Sequence, residues 1–194
     1  MSILKFLGKS AGLRSPSRIK HNGRKLSDIL VAHGQFIRGQ EGGVRADLAG
    51  ADLSRADLHR AILTGAILHD AVLDGANLVE SKLNLADLER THLRGADLRH
   101  SDMTEAHLPG ADLTEAKISG VELFGSDLTG AILCRADLSV TNCRNVILLG
   151  ADLRGATVTS TVFRETNLDG VDLSGLDLST ALLPYGWKPP ASAG

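Results

Sequence analysis

The chain has 194 residues, of which 43% are hydrophobic and 3% aromatic, and a formal net charge of −2 at pH 7. This length predicts one domain with terminal extensions, and the low aromatic content excludes a core built on large rings. No apolar run approaches the roughly 20 residues that a membrane-spanning helix needs, so the sequence predicts no spanning segment.

Residues 1–25 are predicted to be a basic, flexible tail. They contain no acidic residue, and residues 1–45 together carry nine Lys or Arg against two acids. Four interpretations stay open: a loosely ordered segment that contacts an acidic partner, a tail that folds against the rest of its own chain, an organellar targeting peptide, or a membrane-surface anchor that uses apolar residues such as Ile3 and Phe6. The apolar stretch at the start is too short for a secretory signal, so we expect a cytoplasmic protein.

Residues 26–45 are predicted to hold one helix and a connector. Ser27 is a favourable N-cap residue, and Gly39 stands where a C-cap with positive φ belongs. Leu26 and Val31 have the spacing of a hydrophobic staple. The predicted helix therefore runs from Ser27 to Arg38.

From Ala46 to Tyr185 the chain keeps one five-residue phase through 28 consecutive units. The third place of the unit holds Leu in 23 cases and Met, Ile, Cys, Val or Phe in the others. The first place holds Ala in 17 cases and otherwise Ser, Thr, Val or Leu. A period of five fits neither a helix nor a strand, so the repeat itself is the structural unit.

The alternation of side chains along an extended chain predicts which places face the core. The first and third places point inward, and the Asp or Asn between them points outward. The fourth and fifth places must then turn the chain through a corner. Gly, frequent at the fifth place, supplies the backbone conformations that a corner needs.

These units resemble the pentapeptide repeat family, whose consensus is A-(D/N)-L-x-x. The resemblance implies an all-β solenoid, namely a right-handed quadrilateral β-helix with four faces in each coil. The repeat over residues 46–185 then makes about seven coils, and a spacing of about 4.8 Å per coil gives a rod roughly 34 Å long. A three-sided left-handed helix is the structural rival, but it prefers six-residue units, which the repeat lacks.

The two ends of such a rod need covers, because an open first or last coil would invite end-to-end pairing. We expect the N-terminal helix to be a capping helix over the first coil. At the other end, residues 186–194 are predicted to be a cap and a frayed tail. The predicted capping residues are Ser27, Ile29 and Phe36 at the start, with Ala32, His33 and Ile37 on the same helix face, and Tyr185 and Trp187 at the end.

Motifs for catalysis or cofactor binding are not found in the sequence. We expect no catalytic site, no cofactor and no metal. Residues 20 apart share a column, so His107 falls between Asp87 and Asp127, but a flat outer surface lacks the further groups that orient metal ligands. The same spacing pairs Arg60 with Glu80 as an ordinary solvated ion pair.

Two sets of outward residues are candidates for binding a partner. The first is the most acidic side of the rod. In the second, apolar side chains replace the usual polar ones near the fifth and sixth coils. The acidic set is Asp47, Asp70, Asp87, Glu89 and Asp127, with Asp169 beyond them; the apolar set is Ile132, Ile147 and Leu149, with Phe124.

Two functions are compatible with these features. The first is a non-enzymatic scaffold, most simply a monomer, that binds a protein partner; we expect no direct binding of nucleic acid by the rod. The second follows from the resemblance, because some family members mimic duplex DNA and bind type II topoisomerases such as DNA gyrase. The repeat carries 21 acids and 11 bases, whereas one turn of duplex DNA carries about 20 negative charges, so the scaffold is the favoured hypothesis.

Overall fold

The structure is a computed structural model that describes residues 12–188. Residues 46–185 form a right-handed quadrilateral β-helix, which confirms the fold predicted from the repeat. Four short elements precede it. They are a 3₁₀ helix at Pro16–Arg18, strands β1 at Lys20–His21 and β2 at Arg24–Lys25, and helix α1 at Leu26–Ile37.

Backbone hydrogen bonds stack each unit on the unit four places later, so that four units make one coil. The second place of a unit pairs in parallel with the second place one coil later, from Asp47 with Ile67 to Val162 with Leu182. From Leu48 to Cys143 each third-place N–H donates to the next coil; that of Leu48, for example, donates to the Ile67 carbonyl at 2.8 Å. We number the faces from the first coil: face 1 begins with 46–50, face 2 with 51–55, face 3 with 56–60 and face 4 with 61–65, and each continues through every fourth unit.

The core is a single column of inward side chains. From Leu48 to Phe163 every third-place side chain is at most 3% exposed, so the predicted inward orientation is confirmed. Cys143 shares this environment, and burial raises the pKa of its thiol to about 12, which keeps it protonated. Some inward hydroxyls find partners, as Ser126 does by donating to the Met103 carbonyl at 2.7 Å, whereas the buried hydroxyls of Ser81 and Ser101 have no hydrogen-bond partner among the described residues.

Each corner is a four-residue turn with a fixed backbone requirement. The first-place N–H of Ala51 donates to the Leu48 carbonyl at 3.0 Å, which closes the turn. Every fifth-place residue from Gly50 to Gly175 has positive φ, at the position where type II turns require it. The outward Asp or Asn adds a second contact; Asp52 Oδ1, for example, accepts the Ser54 N–H at 3.0 Å. This contact, two residues along the backbone, accounts for the abundance of Asp and Asn at the second place.

The predicted flexible tail is wrong for residues 12–25. Arg14 forms a parallel bridge with Ala56 on face 3, and its carbonyl accepts the Asp57 N–H at 2.9 Å. Ile19 is only 1% exposed. This segment therefore covers part of the first coil's open edge and anchors itself through an apolar side chain. The remainder of the predicted tail, residues 1–11, lies outside the described residues.

The N-cap predicted at Ser27 is also wrong. Helix α1 begins at Leu26, with Lys25 in the N-cap position and no side-chain cap. The Leu26 N–H donates to the Ile19 carbonyl at 2.9 Å, so the preceding segment satisfies a helix N–H. Ser27 instead lies inside the helix and donates to Asp28 at 3.1 Å. Val31 is 47% exposed, and it therefore forms no staple with the buried Leu26.

The predicted end of the helix is correct. Gly39 has φ of 63°, and its N–H donates to the Phe36 carbonyl at 2.9 Å, while the Gln40 N–H reaches the Gln35 carbonyl at 2.9 Å. This pair of bonds is a Schellman motif. The connector then returns so closely that a Cβ at Gly43 would collide with the backbone of Phe36.

Helix α1 packs on the start of the β-helix. Ile29 is 6% exposed and His33 is fully buried. The N–H of Ala46, the first residue of the first coil, donates to His33 Nδ1 at 3.0 Å. Phe36 is 45% exposed and stacks on the His33 ring instead of entering the core, so its predicted place in the cover is wrong. A capping role for the helix stays a prediction.

The last coil is paired on only two of its faces. Asp172 and Leu182 bridge to the preceding coil, whereas Asn167 and Asp177, also within the described range, form no bridge. Tyr185 is 89% exposed and lies 4.1 Å from the Arg164 guanidinium carbon, so it does not cover the coil as predicted.

Trp187 is the predicted C-terminal capping residue that does contact the core, where it is partly buried. The rest of the predicted cap and tail, residues 189–194, lies outside the described residues. Among residues 12–188, no helix has both the length and the apolar character needed to cross a membrane.

Candidate protein-interaction surfaces

All five acidic candidates lie on face 1. Asp47, Asp87 and Asp127 belong to one column, at the second place of alternate coils, with bridges through Ile67 and His107. Asp70 and Glu89 occupy the turn positions of the same face. The structure therefore places these carboxylates on one side of the rod, as the spacing of the repeat predicts.

A guanidinium group neutralises part of this face. Arg90 donates to the two Asp70 carboxylate oxygens at 2.8 and 2.9 Å and also contacts Glu89. The hydrogen bonds from Arg90 and then His69 lower the pKa of Asp70 to about 2. Asp70 and Glu89 are therefore internal ion-pair partners as well as surface acids.

The second-place carboxylates are partly occupied by the fold itself. Asp127 Oδ1 accepts the Thr129 N–H at 2.9 Å and its hydroxyl at 2.6 Å. Asp87 Oδ1 accepts the Glu89 N–H at 3.2 Å, and Asp47 Oδ1 makes the equivalent bond to its own turn. One oxygen of each carboxylate thus stabilises a corner, and the second oxygen of Asp127 lies 3.6 Å from His107 Nδ1.

His107 lies among these carboxylates. Its ring, Asp87 and Glu89 offer donor atoms within 4.8 Å of one another, and its Nδ1 is 3.6 Å from Asp127. The group lies on the outer surface, and Arg90 already contacts Glu89. An ion there would compete with a guanidinium, so the geometry gives no reason to replace the expectation of no metal.

The apolar candidates surround the same face. Ile147 and Leu149 are 50% and 68% exposed on face 1 of the sixth coil. Ile132 is 39% exposed on face 2 of the fifth coil, and Phe124 is 36% exposed at the end of face 4 in the fourth coil. The four side chains therefore form no single flat patch; two lie on face 1, and one lies beyond each of its corners.

Two exposed apolar residues at corners of the solenoid were not identified from the sequence. Leu85 is 57% exposed and Val140 is 65% exposed, and both occupy fifth places with positive φ. The sequence feature that could have identified them is a Leu or Val at the fifth place, which Gly or a charged residue usually occupies. Each stands alone at a corner.

Two spacings recur among the ion pairs, and only one of them was predicted; the pairs of Arg94 with Asp112 and of Arg144 with Glu165 follow neither. The predicted pair between Arg60 and Glu80 is present at 2.6 Å, one coil apart, and Arg135 pairs with Glu115 in the same way at 2.7 Å. Other arginines reach back two residues within a single unit, as Arg99 does to Asp97 at 2.7 Å. This second pattern was missed because only the columns were considered.

A shallow groove of about 610 Å³ runs along face 3 beside the N-terminal segment. Its lining includes Leu13, Asp57, Asp97 and Lys117. Because Asp97 is already paired with Arg99 and the remaining charges have both signs, the groove favours no single class of ligand.

Comparison with known proteins agrees with this architecture. The family model for pentapeptide repeats matches in eight copies, over residues 44–79, 81–120, 116–152 and 147–183. A trypsin-treated form of QnrB1, a plasmid-mediated fluoroquinolone resistance protein, is 21% identical over 72% of this chain and 79% of its own, with a TM-score of 0.50. That likeness supports the fold alone.

Two cyanobacterial structures are also similar. HetL, a pentapeptide repeat protein involved in heterocyst differentiation regulation in Nostoc sp. strain PCC 7120, is 32% identical over 61% of this chain and 70% of its own, with a TM-score of 0.24. The protein alr5209 from Nostoc PCC 7120 is 26% identical over 58% and 77%, with a TM-score of 0.39. Comparison with curated proteins finds no match. Because the family model covers nearly all of the stacked coils, the chain belongs to the pentapeptide repeat family.

Proposed function

We propose that this chain is a non-enzymatic scaffold that binds a protein partner through face 1 of the fifth and sixth coils. The exposure of Ile147 and Leu149, at 50% and 68%, carries the proposal. Ile147 lies in the extended part of its unit and Leu149 in the turn that follows, and the exposure of both side chains shows that they face outward. The coil-to-coil hydrogen bonds fix their backbone, so binding would order few groups and lose little conformational entropy.

The surroundings of this pair fit a protein interface. Asp127 lies one coil below Ile147 in the same column, and Ile132 and Phe124 extend the apolar surface beyond the two corners. Interfaces commonly have an apolar centre with a polar rim. The partner would therefore offer an apolar contact together with a cation for Asp127.

The test compares two sets of apolar-to-Ser substitutions in a quantitative pull-down. Ile132→Ser/Ile147→Ser/Leu149→Ser should reduce recovery of the partner at least about tenfold, as expected for loss of central contacts. Leu85→Ser/Val140→Ser removes exposed apolar area elsewhere and should leave recovery unchanged. Equal losses for both variants would show that general surface apolarity, and not this surface, captures the partner.

The second candidate function is a duplex-DNA mimic that binds a type II topoisomerase. Two observations favour it: the fold likeness to a fluoroquinolone resistance protein and the collection of carboxylates on face 1. It has less support than the scaffold, because Arg90 neutralises part of this face and the turns occupy one oxygen of Asp87 and Asp127.

A supercoiling assay with DNA gyrase separates the two candidates. A mimic would inhibit supercoiling, and Asp87→Lys/Glu89→Lys/Asp127→Lys would abolish the inhibition. Added salt would also weaken it, because the contact is electrostatic. The scaffold hypothesis predicts that the native protein does not affect supercoiling. Inhibition by the native protein that is lost in the Lys variant would support the DNA mimic over the scaffold.

A further inference from the structure

The N-terminal end of the rod carries a compact basic hairpin. Strands β1 and β2 are joined by Asn22 and Gly23, whose φ values of 48° and 77° are both positive, as in a type I′ turn. Across the strands Lys20 lies opposite Lys25, and His21 lies opposite Arg24. We call the exposed cations Arg18, Lys20, Arg24 and Lys25, on this hairpin and the turn before it, the basic hairpin.

The cross-strand pairing of cations in the basic hairpin does not stabilise it. Like charges directly opposite each other on neighbouring strands are destabilising. Contacts at the base compensate: Ile19 and Leu26 are 1% and 0% exposed, and the Leu26 N–H donates to the Ile19 carbonyl at 2.9 Å. Two buried side chains therefore hold a cationic tip in a fixed position.

These cations also differ from most arginines of the solenoid. Arg60, Arg90 and Arg135 each pair with a carboxylate one coil away. Within residues 12–188, none of the basic hairpin side chains forms an ion pair. The basic hairpin thus presents several cations to solvent without internal neutralisation.

We propose that the basic hairpin binds the phosphate backbone of a nucleic acid. A duplex offers one negative charge per about 1.7 Å, so a fixed group of cations meets several phosphates in any register. A two-stranded ribbon also fits the major groove. Apolar side chains are lacking at the tip, between Lys20 and Lys25, whereas peripheral membrane binding relies on apolar groups inserted into the interface.

The charge distribution confines this contact to one end of the rod. The repeat carries 21 acids and 11 bases, so its sides repel phosphate. Binding through the N-terminal end would leave face 1 free for the partner of the proposed scaffold. The two surfaces are separate, and this inference does not depend on the proposed function.

The test is a fluorescence-anisotropy titration of a labelled DNA duplex of about 20 base pairs with the intact protein. Four phosphate contacts predict a log–log salt slope of about −3.6, since each contributes about −0.9. Lys20→Gln/Arg24→Gln/Lys25→Gln should reduce the slope to about −0.9 and weaken binding at least about tenfold at low salt.

Matched variants show whether binding depends on the position of the cations or only on the total charge of the protein. Lys82→Gln/Lys117→Gln/Lys188→Gln removes three exposed cations elsewhere and should change the affinity less than about twofold, since no phosphate contact is lost. Lys20→Arg/Arg24→Lys/Lys25→Arg retains the charge and should bind like the native protein. Coincident thermal melts confirm that the variants keep the fold.

Three results would overturn the proposal. The first is equal loss in the two Gln variants, and the second is complete loss in the charge-retaining variant. The third is an unchanged DNA titration in the hairpin Gln variant together with lost binding to phosphatidylserine vesicles, which would identify a membrane surface as the partner.

Discussion

Val140 is poorly suited to its own backbone conformation. It occupies a fifth place with φ of 58°, and a β-branched residue with positive φ is strained. Its side chain is 65% exposed, so packing does not compensate. Gly130 holds the same place two units earlier, with φ of 64° and open space where a Cβ would lie.

Val140→Gly is therefore expected to raise the free energy of unfolding by up to about 1.5 kcal/mol. A left-handed backbone conformation destabilises an L-residue by about 1–2 kcal/mol, and the substitution removes this strain. The greater flexibility of Gly in the unfolded chain offsets roughly 0.5–1 kcal/mol of the stabilisation. Gly130→Val is the matched reverse substitution and should destabilise by a similar amount. Chemical denaturation measures both, and a less stable Val140→Gly protein would contradict the strain.

Helix α1 depends on a histidine at its contact with the first coil. His33 Nδ1 accepts the Ala46 N–H at 3.0 Å, so this nitrogen must be unprotonated. Burial lowers the pKa of His33, and the charge of Arg45 lowers it further, while the Thr64 backbone carbonyl acts in the opposite direction. Among the described residues no carboxylate forms an ion pair with the ring.

The stability of the protein should therefore fall as pH drops below about 6.5, the ordinary histidine pKa. The folded-state pKa is lowered, so the unfolded chain binds the proton more readily. The contribution of His33 is complete above the unfolded pKa and is lost as pH falls towards the folded one. Melting temperatures at about pH 7.5 and 5 measure the effect.

His33→Gln is the control for this pH effect, because its amide oxygen can accept the Ala46 N–H without titrating. Other groups shift both proteins alike, so the difference between them isolates His33. An equal drop in melting temperature for the native protein and the variant would assign the pH dependence elsewhere.

At the scale of the whole molecule, the solenoid is a stack of similar coils with different ends. At the N-terminal end Arg14 bridges to the first coil and His33 of helix α1 accepts the Ala46 N–H, whereas the last coil pairs with its neighbour on two faces only. Exposed edges of paired strands promote association. The N-terminal cover should therefore determine whether the first coil meets another molecule.

Removing residues 1–45 should expose the first coil and produce larger species in size-exclusion chromatography with light scattering. Unpaired strand edges would then be free to join other rods. Removing only residues 1–11 keeps every described contact and should leave the native size unchanged. A clean monomer after the longer truncation would contradict a capping role for helix α1.

The repeat predicted the solenoid well because each five-residue unit forms one face and four units form one coil. Inward places such as Leu98 and outward places such as Asp97 follow from alternation alone. The N-cap prediction at Ser27 failed because Ile19, from a different element, satisfies the Leu26 N–H. The pair of Arg90 with Asp70 could have been found by the spacing that predicted Arg60 with Glu80, since both pairs join adjacent coils of one column.

The stacking of every unit on the fourth unit after it has a consequence for insertions and deletions. Loss of a whole coil, such as residues 86–105, would shorten the rod by one layer and leave Ile147 and Leu149 on face 1. Loss of a single unit would instead rotate everything after it by a quarter turn. The apolar pair would then lie on a different side from Asp47 and Asp70. A surface assembled from several coils can therefore survive changes in chain length only in multiples of four units.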